Sequence, residues 1–127
     1  MPDHRRTTGQ QGELIARAYL ERRGYGIIAA NWRCPEGELD LVAQHGSTLV
    51  FVEVRTRRST QAGLAEESVT PAKQRRLATL AQAYLQFLDE QGTSWPGSWR
   101  VDLLALQLDA EGRARVRHLQ NVVEDIF

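Results

Sequence analysis

The sequence predicts an α/β fold in which a mixed central sheet is flanked by helices, in the order α-β-β-β-α-β followed by one further strand. Two observations support this fold class. Segments with apolar residues at every third or fourth position flank segments in which apolar and polar residues alternate. Three short strands also precede the longer helix, and a helical crossover returns the next strand parallel to its neighbour. The 127 residues, 42% of them hydrophobic and 25% charged, suit one domain over residues 1–127.

Residues 9–23 are predicted to form the first helix, because Gly24 suits the left-handed position at which helices commonly end. Residues 1–8 are polar and lack an evident cap, so we expect them to be disordered. Glu13 borders the apolar stripe of this helix. Its favourable interaction with the helix dipole accounts for it as well as a functional role does. The stripe consists of Gly12, Ile15, Ala16, Tyr19 and Leu20.

A β-hairpin is predicted at the centre of the sheet, with residues 37–43 and 48–55 as its arms and residues 25–33 as the strand before it. A two-residue primed turn at Gly46 and Ser47 pairs His45 with Thr48 and thereby fixes the register. In that register one face of the hairpin is wholly apolar. Its predicted pairs are Leu39 with Val54, Leu41 with Val52, and Ala43 with Val50.

The opposite face of the hairpin is acidic, with Asp40 predicted to lie across from Glu53 and Glu38 across from Arg55. Opposed carboxylates on adjacent strands are only about 5 Å apart and repel each other. A cation between them would remove that repulsion, and oxygen ligands suit Mg²⁺ or Mn²⁺ better than Zn²⁺. Such a metal indicates phosphodiester chemistry. A solvated hairpin face explains the same acids equally well, so the residues alone leave both interpretations open.

The second helix is predicted to begin with Thr70 as N-cap and Pro71 as its first residue. Lys73 lies four residues before Leu77 and so continues the inward-facing stripe. A surface lysine at the start of a helix is an equally good account of it. The remaining elements are strands at residues 99–108 and 113–119, and a tail in which Val122, Val123, Ile126 and Phe127 dock on the core.

The formal net charge of the chain is zero, so the molecule as a whole does not attract a polyanion. If the protein binds one, local basic patches must hold it. Candidate contacts to a nucleic-acid backbone are Arg33, Arg57, Arg58 and Arg76, which flank the acidic hairpin in sequence. Arg113, Arg115 and Arg117 alternate along the last strand, where protection of a sheet edge explains them as well as phosphate binding does. The polar loop at residues 57–63 is expected to be mobile and to close over a substrate.

Other residue types exclude some classes of protein. The single cysteine, Cys34, rules out a disulfide framework and a cysteine metal cluster. No apolar segment follows the N-terminal residues as in a signal peptide, and no run has membrane length, so we expect a cytoplasmic protein without membrane association. Trp95 and Trp99 could stack on bases, but packing within a loop is the commoner use of such residues.

The motifs resemble two groups of known proteins. Gly37-Glu38-Leu39-Asp40, followed after twelve residues by Glu53-Val54-Arg55, resembles the PD-(D/E)xK nuclease signature. The chain more closely resembles the YraN family, uncharacterised bacterial proteins similar in fold to restriction endonucleases and archaeal Holliday-junction resolvases. The matching positions are Gly12-Glu13, Ala16, Tyr19-Leu20, Gly24-Tyr25, Asn31, Arg33, Gly37 to Leu41, Phe51 to Arg55, Ala65 to Val69, Lys73, Arg100-Val101-Asp102 and Phe127.

The resemblance implies a restriction-endonuclease-like αβββαβ core with a defined set of site residues. Asp40 and Glu53 would be metal ligands, Glu38 an auxiliary acid, and Glu13 the acid supplied by the first helix. Arg55 stands where such nucleases usually have lysine, and a guanidinium cannot act as a general base, although it can hold a phosphate. Lys73 could supply the amine instead.

Two functions follow as hypotheses. The first is a Mg²⁺- or Mn²⁺-dependent endonuclease that cleaves DNA, with branched DNA favoured by the resolvase resemblance. The second is a catalytically lapsed module that retains the fold and binds nucleic acid or protein. Resolvase-like folds often pair, so a homodimer is a further expectation that the sequence does not address.

Overall fold

The computed structural model describes residues 7–58 and 69–123. Most of the predicted loop at residues 57–63 lies outside them, as do Ile126, Phe127 and the family-like residues 65–68. Within the described ranges, no helix is both long and apolar enough to cross a membrane.

Helix α1, Thr8–Arg22, begins one residue earlier than predicted because Thr7 caps it. The Thr7 hydroxyl accepts the Gln10 backbone N–H at 3.1 Å, and the Gln10 side chain accepts the Thr7 N–H at 3.0 Å. This reciprocal capping box satisfies two amides that the helix cannot pair internally. The expectation that no cap precedes the helix is therefore wrong at Thr7, and residues 1–6 lie outside the described chain.

The predicted mixed sheet is confirmed, with five strands in the order β1-β2-β3-β4-β5. All neighbours are antiparallel except β3 and β4, which are parallel because α2 connects them. The α-β-β-β-α-β order of the predicted core is confirmed as well. The strands are β1 Gly26–Cys34, β2 Gly37–His45, β3 Thr48–Arg57, β4 Trp99–Leu108 and β5 Ala114–Leu119, and α2 is Pro71–Glu90.

Each helix covers one face of the sheet, and the two faces form separate apolar clusters. The cluster beneath α1 contains Ala16, Leu20, Leu41, Ala43, Val50, Val52, Leu104 and Leu106. The cluster beneath α2 contains Leu39, Val42, Leu49, Phe51, Leu77, Leu80, Ala81, Tyr84 and Val101. Val122 and Val123 pack against the second cluster, which confirms that part of the predicted tail. Trp95 also packs there from the loop before β4, as the loop-packing account expects, whereas Trp99 packs there as the first residue of β4.

The predicted hairpin register is confirmed in the half of the hairpin next to the turn. There Leu41 pairs with Val52, Ala43 with Val50 and His45 with Thr48. Gly46 supplies the positive φ of +61° that a primed turn requires. The pairing of β2 with β3 ends at Leu41 and Val52, so the acidic residues lie where the two strands part.

The prediction that Leu39 and Leu41 share one face is wrong, because Leu39 packs beneath α2 and Leu41 beneath α1. The change of face coincides with Asn31 in β1, whose φ is +54°. A left-handed residue within a strand breaks the two-residue alternation of side chains. By the register of β1 with β2, Asn31 stands beside Asp40, between the pairs Ala30–Leu41 and Trp32–Leu39.

A close contact of α1 with β3 depends on Gly12. A Cβ at this position would lie 1.9 Å from the Thr56 Oγ1 and 2.9 Å from the Thr56 Cβ, so a side chain there forces the helix away from the sheet. Gly9, one turn earlier, would meet no heavy atom within 4 Å.

We expect Gly12→Ala to destabilise the protein by about 1–3 kcal/mol, the usual cost of overpacking. The matched change Gly9→Ala should be neutral or stabilising by up to about 1 kcal/mol, because alanine favours a helix over glycine. Urea unfolding followed by circular dichroism measures both. Equal effects of the two substitutions would contradict the close packing of α1 on Thr56.

Candidate functional site

A cleft of about 1000 Å³ opens where β2 and β3 part, bounded by the first turns of α1. Its wall mixes acids with arginines, and it holds most of the side chains that the sequence singled out. The charged residues that line it are Glu13, Glu38, Asp40, Arg33, Arg55 and Arg57.

Asp40 lies at the point where strand pairing stops. Its Oδ2 accepts the backbone N–H of Val54 at 2.8 Å, which satisfies an amide that β2 no longer pairs. Burial and the adjacent Glu53 carboxylate raise the pKa of Asp40 to about 7, although the Val54 hydrogen bond acts in the opposite direction. Burial is the larger cause, since it penalises the ionised form. Asp40 therefore holds or releases a proton near neutral pH.

Glu53 is the buried partner of this pair, with only 8% of its surface exposed. Its Oε2 lies 2.8 Å from the Arg55 Nη2 and 3.8 Å from the Arg76 Nη2. The Arg55 Nε is buried and has no hydrogen-bond partner within the described part of the chain. Glu53 therefore interacts both with the Asp40 carboxyl and with the guanidinium groups of Arg55 and Arg76.

Glu13 and Asn31 connect the first helix to the cleft. The Asn31 Nδ2 donates a hydrogen bond to the Glu13 Oε1 at 2.8 Å, which orients the Glu13 carboxylate on the cleft wall. Asn31 is not among the site residues predicted from the sequence. An asparagine inside a strand is a signal for one, because asparagine is a poor strand former that tolerates left-handed backbone better than most residues.

Glu38 does not pair with Arg55, and that part of the predicted hairpin face is wrong. Its Oε2 instead accepts the Arg33 Nε at 2.8 Å across β1 and β2. The strands β2 and β3 have already parted at this level, so Arg55 turns to Glu53. The Arg33 side chain is 81% exposed and remains open to a ligand at the cleft mouth.

The other predicted basic residues lie at different distances from this centre. Arg57 lines the cleft, and Arg76 reaches Glu53 from α2. The Arg58 side chain points away to α1, where it donates hydrogen bonds to the Thr8 Oγ1 and the Gln11 Oε1. Lys73 is half-buried in the first turn of α2 and is not among the residues that line the cleft, so its catalytic role stays a prediction.

Two carboxylates, those of Asp40 and Glu53, could act together as metal ligands. Among residues 7–58 and 69–123, no group of three or more His, Cys, Asp or Glu side chains is arranged to hold a metal ion. Glu13 and Glu38 each have a partner of their own. Mg²⁺ commonly uses only one or two carboxylates and completes its shell with water and phosphate oxygens, so Asp40 and Glu53 fit such an ion. A cation there would replace the proton that Asp40 retains.

Comparison with known sequences finds one family throughout. The model of "Uncharacterised protein family UPF0102" matches residues 12–106. A UPF0102 protein from Herpetosiphon aurantiacus is 47% identical over 122 residues, which cover 96% of this chain and 98% of the relative. One from Chloroflexus aurantiacus is 52% identical over 106 residues, covering 84% and 83%. The YraN resemblance noted from the motifs is confirmed, because UPF0102 is that family.

Two solved structures are similar at low identity. EndoMS, in an EndoMS–dsDNA complex, has a TM-score of 0.40 and 15% identity over 80% of this chain. Pyrococcus furiosus SfsA, in complex with Ca²⁺, has a TM-score of 0.41 and 16% identity over 89% of this chain. The chain spans 38% of the first protein and 63% of the second, so each similarity concerns part of a longer molecule.

Proposed function

The chain belongs to the UPF0102 family, and from this premise we propose that it is a metal-dependent endonuclease that hydrolyses phosphodiester bonds in DNA. The observation that carries the proposal is the pair of contacting carboxylates, Asp40 and Glu53, at the point where two strands part. The pair lies beside a cleft lined by arginines, and burial, with a further contribution from Glu53, raises the pKa of Asp40 to about 7.

Asp40 and Glu53 are the residues that would hold Mg²⁺ or Mn²⁺. The bound cation would neutralise charge on a phosphoryl group and favour ionisation of an attacking water. Glu13, which lines the same cleft and accepts a hydrogen bond from Asn31, would orient that water by accepting its hydrogen bond. Glu38 is an auxiliary acid whose pairing with Arg33 keeps it beside Asp40.

Arg55 is assigned an electrostatic role. A guanidinium stays protonated at every pH of interest, so it cannot abstract a proton, but it can donate two parallel hydrogen bonds to a phosphate. Its buried Nε has no partner, and Glu53 engages only one of its two terminal nitrogens among the contacts of the described chain. Arg33 and Arg57 line the same cleft and would hold the flanking phosphates.

The proposal is tested by incubating the protein with a labelled four-way junction and with a linear duplex of the same sequence, in Mg²⁺, in Mn²⁺ and in EDTA. We expect metal-dependent cleavage, with the junction preferred. Glu53→Gln should lose cleavage, whereas Glu36→Gln, at an exposed acid in the β1–β2 turn, should retain it. Cleavage that Glu53→Gln leaves intact would overturn the site assignment.

A second function, a binding module without catalysis, is favoured by the two arginines that already neutralise Glu53. In that case the protein would bind DNA in every buffer and cut it in none. Arg55→Lys separates the two functions further. An enzyme whose Arg55 holds a phosphate should retain activity in this variant, whereas a module without a competent site should stay inactive.

A further inference from the structure

The strand registers align arginines of β3 and β5 in two rows that cross β4. Across β3, β4 and β5, Arg57 pairs with Gln107 and Gln107 with Arg115. Two residues earlier in β3, Arg55 pairs with Ala105, and Ala105 pairs with Arg117. Residues paired across neighbouring strands carry their side chains on the same face of a sheet. All these side chains therefore project from the face that α2 partly covers.

The rows form a continuous surface that begins at the cleft. Adjacent strands are about 4.8 Å apart and alternate residues about 7 Å apart, so four guanidinium groups originate from an area of about 10 by 7 Å. Arg55 and Arg57 also line the cleft, and Arg115 and Arg117 are exposed on the edge strand β5. We call this surface the basic tract and define it as Arg55, Arg57, Gln107, Arg115 and Arg117.

The middle of the basic tract carries a polar group without a partner. Both polar atoms of the Gln107 side chain, Nε2 and Oε1, are buried and make no hydrogen bond to residues 7–58 or 69–123. Leaving such atoms unpaired is costly, because their hydration is lost without compensation. Ala105, the central residue of the other row, is only 4% exposed and adds no charge.

The positive charge of the basic tract does not continue into the β4–β5 turn. Arg113, just before β5, is occupied by acids: its Nε lies 2.9 Å from the Asp109 Oδ2 and its Nη2 3.6 Å from the Glu111 Oε2. At the other end, Glu53 is the nearest acid in register and already pairs with Arg55. Arg57 and Arg115 lie between these two acidic boundaries, in one row with Gln107.

We infer that the basic tract binds the sugar-phosphate backbone of a DNA strand that leaves the cleft toward β5. The inference rests on the proposed function, since it extends the path of the same substrate. Charge complementarity identifies the occupant: rows of guanidinium groups that continue a cleft suited to phosphate match a polyanion. On binding, the Gln107 side chain would turn its buried amide outward and donate to a phosphate oxygen.

Protection of the sheet edge is the competing explanation for arginines on β5. It accounts for Arg115 and Arg117 on an edge strand, but not for Arg55 and Arg57, because β3 lies inside the sheet. The two explanations give different results when a single arginine is removed.

The test is fluorescence anisotropy of a labelled linear duplex titrated with protein in EDTA, at KCl concentrations from 50 to 200 mM. Each phosphate contact contributes about 0.9 to the slope of log affinity against log salt on B-DNA. We expect Arg115→Gln to weaken binding and lower the slope by about 0.9, with Arg115→Lys close to wild type. The matched control Arg113→Gln, on an arginine already paired with acids, should leave the slope unchanged.

A second variant separates binding from folding. Gln107→Leu should raise the urea midpoint, because it removes unpaired buried atoms, and should also weaken DNA binding. A loss of affinity without a loss of stability cannot come from misfolding. Binding by Gln107→Leu that equals wild type would remove Gln107 from the basic tract.

The outcomes distinguish this inference from the proposed function. If wild type cleaves DNA and Arg115→Gln binds like Arg113→Gln, the basic tract is wrong and the nuclease stands. If Arg115→Gln lowers the salt slope by the expected amount of about 0.9 but wild type never cleaves DNA, the basic tract stands and the nuclease proposal is wrong. Aggregation of Arg115→Gln with unchanged DNA binding would assign the row to edge protection and overturn the inference.

Discussion

Replacing Asp40 with asparagine is expected to abolish metal-dependent cleavage while making the metal-free protein more stable at pH 8. The loss of activity should be about 10²–10³-fold or more, the usual effect of removing one preorganised electrostatic group from an active site. The gain in stability follows from the state of the native carboxyl. Its pKa is raised to about 7 by burial and by Glu53, so at pH 8 the fold carries an ionised group that it disfavours.

The pH dependence gives the sign of this effect. A carboxyl with an ordinary pKa of 3.8 when unfolded and about 7 when folded binds its proton more tightly in the native state. Its contribution to stability is therefore complete below pH 4 and falls as the pH rises through 7. Asparagine does not titrate, and its amide oxygen can still accept the Val54 N–H.

Urea unfolding in EDTA at pH 5 and pH 8 measures the effect. We expect Asp40→Asn to show a smaller fall in unfolding free energy between these values than wild type, by an amount of the order of 2 kcal/mol, since one pKa unit is about 1.4 kcal/mol. Glu36→Gln serves as the control on an exposed acid. A variant that is both inactive and less stable at pH 8 would show that Asp40 has a structural role instead.

Asp102→Ala is expected to cause the largest loss of stability, about 3–5 kcal/mol. The Asp102 side chain is fully buried, and its carboxylate accepts hydrogen bonds from the Arg100 Nε at 3.0 Å and the Asn121 N–H at 2.9 Å. The His118 Nε2 lies 2.8 Å from the same carboxylate. The Arg100 Nη2 also donates to the Tyr25 hydroxyl at 2.9 Å. Removing Asp102 leaves the mostly buried Arg100 guanidinium without its carboxylate partner and removes the hydrogen bond that holds Asn121 to β4.

The matched control is Asp109→Ala. Asp109 also accepts several hydrogen bonds, from the Arg113 Nε and from two backbone N–H groups, but it lies on the surface of the β4–β5 turn. Water replaces its contacts when it is removed, so we expect a much smaller loss. Comparable losses for the two variants, measured by chemical denaturation at pH 7, would contradict the assigned role of burial.

Asp102 also has a pH signature opposite to that of Asp40. Burial by itself would raise its pKa, but the hydrogen bonds from His118, Asn121 and Arg100 outweigh burial and lower the pKa below its usual value. The ionised Asp102 carboxylate therefore stabilises the fold above the ordinary pKa of an aspartate. This stabilisation is lost as the pH falls through the lowered pKa of Asp102 in the folded state. Acid unfolding of wild type should be steeper than that of Asp102→Ala.

Much of the fold could be predicted because its signals act between residues close in sequence. The turn at Gly46 places His45 beside Thr48, and the alternation of apolar residues then carries that register along β2 and β3. Thr70 and Pro71 mark the start of α2 by the same kind of local rule. The contact between Asp40 and Glu53 follows from this register and could be predicted for that reason.

Other features depend on where distant segments meet, and the sequence did not reveal them. Asn31 adopts a left-handed conformation at the level of the sheet where Leu39 lies on the α2 side and Glu38 pairs with Arg33. Alternation alone cannot predict such a change of face, because one irregular residue inverts the pattern that follows it. Arg58 turns to α1, which lies 47 residues from it at Gln11.

The sequence by itself determined the order of the elements, the parallel crossover and the acidic pair on the hairpin, since propensity, turn chemistry and periodicity are local. Only the tertiary structure decided the Asp102 cluster, the raised pKa of Asp40 and the alignment of Arg57 with Arg115 through Gln107. Burial sets the first two, and the registers of two strand pairs set the third. Both are properties of the assembled sheet, because they arise only when segments far apart in the chain exclude water from one another.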